Sequence, residues 1–251
     1  MSQSETISST PAEVKRPAKK LRSLGNSVVK LALEHGPQPV RSRVEDIILK
    51  KIHRSPKYET AFITGESDMA RALVLEQEVW HEEQYGDLED YKKYLPQSRV
   101  FAAFDGDKCI AMNRLIAGAP ELPPFITEMP FYDERVKQEL ILGSQNLKVE
   151  EFGTVAIERS YRGGRTFLDQ SRHSYRDATE RDIETWGIIM EPERVTNMNT
   201  YGFTFEQVGP TIKYQGGMCA AHIMRFAEVR KHMQATLPKI YDWFVNQPLE
   251  N

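Results

Sequence analysis

Apolar positions along this chain show two kinds of spacing, one typical of strands and one typical of helices. Tyr58–Thr64 is a short apolar run with the composition of a strand. The next segment starts at Ser67 and carries Ala70, Leu73 and Val74 at mostly helical spacing. Strand and helix therefore alternate from this point, which is typical of a mixed α/β domain.

A β-hairpin is the clearest single element in the pattern. Two apolar runs flank the turn sequence Asp105-Gly106-Asp107, which favours a tight reversal between two strands. A Pro-rich loop over 118–131 and a polar helix around 133–142 follow the hairpin.

The second half of the chain continues the alternation. The pattern predicts a central strand over Phe152–Ile157 and a helix that runs to about Glu180. A short buried strand over Thr185–Glu191 and a Pro-initiated helix ending at Gly202 come next. Strand-like segments then lead to a long amphipathic helix, which Pro238 is expected to kink or divide.

The N-terminal region differs from the rest. Residues 1–22 are Ser/Thr-rich and then basic, which predicts a disordered tail. Two short amphipathic segments follow between Ser23 and His53; the pattern favours their capping the domain, with binding to a membrane surface or a partner as the alternative. We therefore divide the chain into a tail with short helices (1–55), a main domain (56–230) and a C-terminal helix (231–251).

Composition narrows the functional classes. The 251 residues are 40% hydrophobic, and the formal net charge of -3 gives no general attraction to nucleic acid. Cys109 and Cys219 lie far apart, so neither a disulfide framework nor a zinc site is expected, and the scattered His residues predict no metal site. No apolar run is long enough to span a membrane. We expect a cytoplasmic protein.

One turn has the composition of an anion site. Gly163-Gly164 lies between the central strand and the following helix, where free backbone N–H groups and the positive helix end meet. Arg159, Arg162 and Arg165 lie around it, and their side chains can donate hydrogen bonds to a phosphate. The alternative is an ordinary turn with solvated arginines.

Carboxylates and one arginine supply further candidate chemistry. Glu150-Glu151 opens the central strand, where a carboxylate serves as a general base if burial raises its pKa, or is simply a solvated acid. An acidic cluster occupies residues 87–90. Arg114 lies in an apolar strand and needs a carboxylate partner, either in a structural ion pair or in a site that uses this cluster.

Together, the order of these elements resembles the GNAT acyltransferase superfamily over about residues 58–228. Tyr161–Gly164 resembles its pyrophosphate loop, and Asn197–Phe203 resembles the segment before its last strands. Within the superfamily the chain is most similar to acyl-homoserine-lactone (AHL) synthases and N-acyl amino acid synthases. The matching stretches are Arg71 with Trp80, Asp87–Asp90, Arg114-Leu115, Glu151–Gly153 and Tyr201–Pro210.

The resemblance implies an α/β fold with a GNAT-like mixed central sheet flanked by helices. It also implies an N-acyltransferase without a tightly bound cofactor, whose co-substrate is an acyl group on acyl carrier protein or coenzyme A. The donor's pantetheine arm would lie between the central strand and the next one. The donor side would comprise Val155, Ala156, Ile157, Arg162, Gly163, Gly164 and Arg165.

The resemblance assigns roles on the acceptor side as well. Glu151 would be the base for a small-molecule amine, and Tyr201 the acid for the leaving thiolate. Arg114 would pair with the acidic cluster to order the acceptor. The acceptor-side residues would be Arg71, Trp80, Asp87, Glu89, Asp90, Arg114 and Thr154.

Three positions depart from the family pattern. Ala111 stands where glycine is usual, Thr154 where lactone synthases have arginine, and Arg165 where a small residue is usual. The acceptor is therefore left open between an amino acid and S-adenosylmethionine. The alternatives to an enzyme are an inactive domain that binds acyl or pantetheine ligands, and a protein that contacts a membrane or partner through its N-terminal segments.

Overall fold

The structure is a computed structural model that describes residues 31–249 except 34, 55–57, 87, 120–122 and 163–164. The predicted tail, residues 1–22, lies outside the described residues. Eight strands form the sheet: β1 Thr60–Phe62, β2 Ser98–Asp105, β3 Lys108–Ala117, β4 Val149–Ile157, β5 Thr185–Met190, β6 Glu206–Gln207, β7 Ile212–Tyr214 and β8 Gly217–Arg225.

The strand order is β1-β2-β3-β4-β5-β8-β6, with β7 also paired to β8. Every pairing is antiparallel except that of β4 with β5, which is parallel. The predicted hairpin is β2 and β3, which meet where Asp105 pairs with Lys108; Gly106 there has a φ of 60°, a conformation that glycine adopts without strain.

Helices cover both faces of this sheet. They are α1 Gln38–Arg54, α2 Glu66–Glu82, α3 Glu89–Lys92, α4 Glu134–Gln145, α5 Thr166–Glu180, α6 Pro192–Asn199, α7 Phe226–Thr236 and α8 Pro238–Tyr241. Three 3₁₀ turns occupy Leu95–Gln97, Phe125–Glu128 and Arg159–Tyr161, and a π-helical turn occupies Asp242–Asn246. The predicted mixed α/β architecture is confirmed.

The largest core lies between the sheet and α5. Tyr175 of α5 is buried with Trp186 of β5 and Phe226 of α7, and the Tyr175 ring centroid is 4.7 Å from that of Phe226. Phe244, in the π-helical turn, packs against the same tyrosine. Fully burying an aromatic or aliphatic side chain stabilises the fold by about 1.5–3 kcal/mol. The C-terminal region is therefore part of the main core.

Helix α1 also packs onto this core. Its buried Glu45 carboxylate accepts hydrogen bonds from the backbone N–H groups of Lys239 (2.9 Å) and Ile240 (3.3 Å), which begin α8. Asp46 forms an ion pair of 2.6 Å with the Lys239 side chain, and Ile52 is buried in the core. These contacts support the capping interpretation for this segment. As predicted, Pro238 divides the last helix.

The pattern overestimated one strand. The strand-like segment Phe203–Gly209 forms only the two-residue β6, because the Asn199 side chain takes up the backbone groups of Phe205. Asn199 donates to the Phe205 carbonyl and accepts from its N–H, both at 3.0 Å, so these groups do not join a ladder. The pattern also missed α3 and the 3₁₀ turn at Phe125–Glu128, which are too short to show a period.

Candidate active site

The parallel strands β4 and β5 pair over only part of their length. The last pair joins Glu151 to Gly187, and no pairing between these described strands follows over 152–157 of β4 and 188–190 of β5. We call this opening between residues 152–157 and 188–190 the splay. It leaves the β5-facing edge of β4 without a strand partner, so its backbone groups can pair with an extended ligand.

A β-bulge decides which side chains face which way beside the splay. The register of β3 against β4 shifts between Arg114 and Leu115, and Gly153 has no partner on β3. Such an extra residue reverses the alternation of side chains along the strand. Glu151 and Thr154 therefore face the same side of the sheet, although an unbroken strand would turn them to opposite sides.

Glu151 is a buried carboxyl group without a cationic partner among the described residues. Its Oε2 accepts a hydrogen bond of 2.9 Å from the backbone N–H of Ile126, in the 3₁₀ turn at Phe125–Glu128. Its Oε1 has no hydrogen-bond partner within the described part of the chain. Burial raises the pKa of Glu151 to about 8, and the nearby Glu128 carboxylate acts in the same direction. The group can therefore exchange a proton near neutral pH.

Glu150, one residue earlier, has a different environment. Its side chain forms a bidentate ion pair with Arg181, whose Nη2 lies 3.0 Å from Glu150 Oε2. Arg181 also binds Asp177 of α5, and Asp177 in turn accepts from Nε of Arg99 at 2.8 Å. This network ties β4 to α5 and β2. Glu150 is thus a structural residue, and Glu151 is the carboxyl group available for chemistry.

A second buried polar group lies between α2 and the sheet. The guanidinium of Arg114 pairs with Glu76 of α2, the Thr154 hydroxyl donates to the other oxygen of Glu76, and Arg114 also donates to the Tyr91 carbonyl at 3.2 Å. Burial raises the pKa of Glu76, against the opposing charge of Arg114. Among the described side chains, the ion-pair partner of Arg114 is therefore Glu76. The expected partner was the cluster at residues 87–90, of which Asp87 and the Asp90 side chain lie outside the described residues. Arg114 also contacts α3 through the Tyr91 carbonyl.

Aromatic rings cover this polar group. Trp80 lies 4.9 Å from Tyr85 and 5.6 Å from Tyr91, and Tyr91 contacts Phe125 at 4.5 Å between ring centroids. Burial, then the carboxylates of Glu151 and Glu76, raise the pKa of Tyr91 well above its usual range. Tyr91 is therefore a neutral phenol that lies near both buried carboxyl groups.

A cavity of about 510 Å³ opens beside these rings. Glu76 and Arg114 form part of its lining, together with Trp80, and Glu89 and Lys92 lie on the α3 side. Such a volume is within the range of small-molecule sites. A small molecule in this cavity would contact both the buried ion pair and the aromatic rings.

The predicted acceptor residues do not all reach this cavity. Arg71 is on the same helix as Trp80 but points to the hairpin: it pairs with Asp68 and donates to the Asp107 carbonyl at 2.6 Å, with its guanidinium 4.5 Å from the Phe104 ring. Arg71 is not among the residues that line the cavity, and its predicted acceptor-side role remains a prediction. Nine residues of helix separate the two side chains by about 13–14 Å along the axis.

The acidic cluster is only partly described. Glu89 lines the cavity and pairs with Lys92 one helical turn later. Asp87 lies outside the described residues, and for Asp90 the backbone alone, in α3, is described. Their predicted contributions remain predictions.

The predicted phosphate turn is also partly described. Gly163 and Gly164 lie outside the described residues. Arg162 pairs with Glu82 at 2.6 Å, and Arg165, buried at the start of α5, pairs with Asp169 at 2.6 Å. Both arginines are therefore engaged by carboxylates of the chain itself.

The predicted donor-side residues on β4 border the splay. Ala156 is buried, whereas Val155 and Ile157 are partly buried, on the stretch that is unpaired toward β5. Tyr201, two residues after the end of α6, packs against the main core, and burial raises the pKa of its phenol. Its proposed role as the thiolate acid remains a prediction.

Sequence reasoning missed three parts of this site: the Glu76 carboxylate, the Ile126 backbone N–H and the Tyr91 phenol. Glu76 lies on the buried face of α2, and a charged residue among the apolar positions of a helix is a signal that the sequence contains. Ile126 follows two prolines in a loop, so no periodicity indicated it.

The comparisons with known proteins concern the whole fold. No protein-family model matches the chain, and no curated protein matches it in sequence. Among solved structures, FeeM, an N-acyl amino acid synthase from uncultured soil microbes, superposes with a TM-score of 0.56 at 17% identity, over 71% of this chain and 96% of FeeM. The AHL synthase LasI superposes with a TM-score of 0.53 at 14% identity, over 72% of this chain and 96% of LasI. The chain has the GNAT fold.

These superpositions confirm, at the level of fold, the resemblance inferred from the sequence. Among the described residues no three His, Cys, Asp or Glu side chains come together in a way that could hold a metal ion. Likewise, no helix in the described ranges is long and apolar enough to cross a bilayer.

Proposed function

We propose that this protein is an N-acyltransferase that moves a fatty acyl group from a phosphopantetheine thioester to the amine of a small acceptor, giving an N-acyl amino acid or a homoserine-lactone-like product. The observation that carries the proposal is Glu151: a buried carboxyl group, with a pKa raised to about 8, at the point where β4 and β5 separate. A general base is most effective when its pKa lies near the working pH.

The reaction requires an amine and a thioester carbonyl side by side. The donor arm pairs with the free edge of β4 over 152–157, as an extended strand would. The amine nitrogen attacks the thioester carbon, Glu151 accepts a proton from the nitrogen directly or through one water, and backbone N–H groups of β4 stabilise the tetrahedral oxyanion. The C–S bond then breaks as the amide forms, and the departing thiolate takes up a proton, for which Tyr201 is the candidate donor.

The acceptor enters from the cavity on the α2 side. Trp80 lines this cavity, and its ring is suited to hold an ammonium group before deprotonation. Arg114 and Glu76 fix the inner wall through their mutual ion pair. Whether the amine belongs to an amino acid or to S-adenosylmethionine is decided by the groups that line this wall.

Two structures with the same fold support the proposal, since FeeM is an N-acyl amino acid synthase and LasI an AHL synthase. The donor is acyl-CoA or an acyl carrier protein, which then is also a protein partner.

The test is product formation. The purified chain is incubated with long-chain acyl-CoA or acyl carrier protein and, in turn, with a pool of amino acids or S-adenosylmethionine, and products are read by mass spectrometry. We expect an N-acyl product with the wild type and with Glu193→Gln, an exposed carboxylate on α6, and at least a hundredfold less with Glu151→Gln. Full turnover by Glu151→Gln would remove Glu151 from the mechanism.

A second candidate function is an inactive domain that binds acyl or pantetheine ligands. The engagement of Arg162 and Arg165 by Glu82 and Asp169 favours it, because each guanidinium already pairs with a carboxylate of the chain. Donor binding by the wild type without any N-acyl product, across both donors and both acceptor pools, supports this alternative against acyl transfer.

A further inference from the structure

Both strands that bound the splay end at charged residues, and these residues are linked. After β4, Arg162 donates from Nε to the Ile157 carbonyl at 2.7 Å. After β5, Glu191 begins the approach to α6 and accepts from the Tyr85 hydroxyl at 2.6 Å. The link between the two ends runs through the C-terminal end of α2.

Glu83 is the centre of that link. Its Oε1 lies 3.0 Å from Nη1 of Arg162, and its Oε2 lies 2.6 Å from Nη2 of Arg194. Arg194 lies 3.2 Å from Glu191 through Nε. Glu82, next to Glu83, binds the other terminal nitrogen of Arg162 at 2.6 Å. A continuous chain of ion pairs therefore joins the end of β4 to the end of β5.

The contacts that surround Glu83 favour its ionised form. Burial by itself would raise the pKa of this carboxyl, but the hydrogen bonds and charges of Arg194 and Arg162 outweigh burial and lower it. The side chains of Arg162 and Glu83 are 31% and 25% exposed, so water and salt reach the pair and screen it. The chain of ion pairs is thus a contact that a competing anion can open.

The linked ion pairs leave Arg162 with no terminal nitrogen free for a phosphate. Three carboxylates (Glu82, Glu83 and Glu191) surround two guanidinium groups (Arg162 and Arg194), so the linked group carries a net negative charge. An approaching phosphate meets carboxylates that already use both terminal nitrogens of Arg162. It gains the bidentate contact of an arginine only by displacing them.

We propose that Glu82 and Glu83 are an internal anionic ligand of Arg162, which closes the mouth of the splay until a phosphate displaces them. The proposal rests on the proposed function insofar as that phosphate belongs to the acyl donor. Displacement frees Arg162 for the donor and at the same time releases Glu83 from the bridge to Arg194 and β5. Donors without a phosphate do not open the mouth in this way.

The test compares anions on charge-matched variants. The double variant Glu82→Gln/Glu83→Gln removes the internal ligand, and Glu59→Gln/Glu193→Gln removes two exposed carboxylates elsewhere. Each protein is titrated by calorimetry with 4′-phosphopantetheine, with unphosphorylated pantetheine and with inorganic pyrophosphate. A thermal melt of each variant checks that it is folded.

Two phosphate-bearing probes should respond. We expect phosphopantetheine and pyrophosphate to bind Glu82→Gln/Glu83→Gln roughly 3- to 10-fold more tightly than the wild type, as expected for a few exposed ion pairs. Pantetheine should be unaffected, and the control variant should behave as the wild type does. Raising the salt concentration should reduce the difference in phosphate affinity between Glu82→Gln/Glu83→Gln and the wild type.

Binding of pyrophosphate and binding of phosphopantetheine test two different claims: that Glu82 and Glu83 block Arg162, and that the phosphate belongs to the acyl donor. If pyrophosphate gains affinity in Glu82→Gln/Glu83→Gln while phosphopantetheine binds none of the proteins, the internal ligand stands and the donor assignment fails. If neither phosphate-bearing probe binds that variant more tightly than the control variant, the internal ligand is overturned, whatever activity the enzyme has.

Discussion

Glu150 and Glu151 are neighbours in β4, yet their carboxyl groups lie in opposite environments. Glu150 is bound by Arg181, whereas Glu151 accepts a hydrogen bond from the Ile126 backbone and has no cationic partner among the described residues. Glu150 is therefore held in an ion pair, whereas its neighbour Glu151 can change its protonation state. The difference leads to distinct predictions for the two substitutions.

The first prediction concerns the pH dependence of activity. A base must be deprotonated to act, and the pKa of Glu151 is raised to about 8, so kcat/KM should rise with pH up to about 8 and then level off. In Glu151→Gln this rise should vanish together with a loss of roughly 10²–10⁴-fold in rate. Steady-state rates between pH 6 and 10 check it. If kcat/KM of Glu151→Gln still rises with pH up to about 8, that rise belongs to the titration of another group.

The second prediction concerns stability against pH. In the unfolded chain the Glu151 carboxyl has its ordinary pKa of 4.5, so between about pH 4.5 and 8 the folded state binds the extra proton. Wild-type stability should therefore fall over this window, and Glu151→Gln should not share that loss. Between pH 5 and pH 8.5, the free energy of unfolding of Glu151→Gln should therefore gain about 1–4 kcal/mol relative to that of the wild type.

Urea unfolding of both proteins at the two pH values measures this shift. Glu193→Gln, in which an exposed carboxyl is replaced, is the control and should follow the wild type. A constant difference between Glu151→Gln and the wild type at both pH values would contradict the raised pKa.

The third prediction concerns Glu150. Glu150→Gln removes the buried partner of Arg181, whose side chain is 28% exposed, and leaves its charge with Asp177 alone. We expect a loss of about 1–3 kcal/mol in the free energy of unfolding, because breaking one side of a partly buried pair leaves the other charge poorly compensated. Turnover per folded molecule should stay close to that of the wild type. A selective loss of kcat without destabilisation would place Glu150 in the reaction instead.

The fourth prediction concerns the ion pair between Glu76 and Arg114, whose side chains are 3% and 2% exposed. Glu76→Met or Arg114→Met alone should cost about 3–5 kcal/mol, since each leaves an isolated buried charge. The double substitution should cost clearly less than the sum of the two. Chemical denaturation of the four proteins of this cycle gives the coupling energy, and additive losses would show that the two side chains do not interact in solution.

The sequence by itself determined the local elements and their order. The hairpin around Gly106, the helix Thr166–Glu180 and the division at Pro238 follow from turn chemistry, helical spacing and the missing N–H of proline, all of which act over a few residues. The same order of elements was sufficient to indicate the GNAT fold. It also singled out the Glu150-Glu151 pair and Arg114 as residues that need an explanation.

Only the tertiary structure decided how those residues are used. The bulge at Gly153 sets the face on which Glu151 and Thr154 lie, and a one-residue change of register is invisible in a pattern of apolar positions. Arg114 pairs with Glu76, on a helix distant in the sequence, and no pattern of apolar positions indicates that pairing. Burial, which raises the pKa of Glu151, comes from elements packed around β4, so the property that makes it a candidate base exists only in the folded chain.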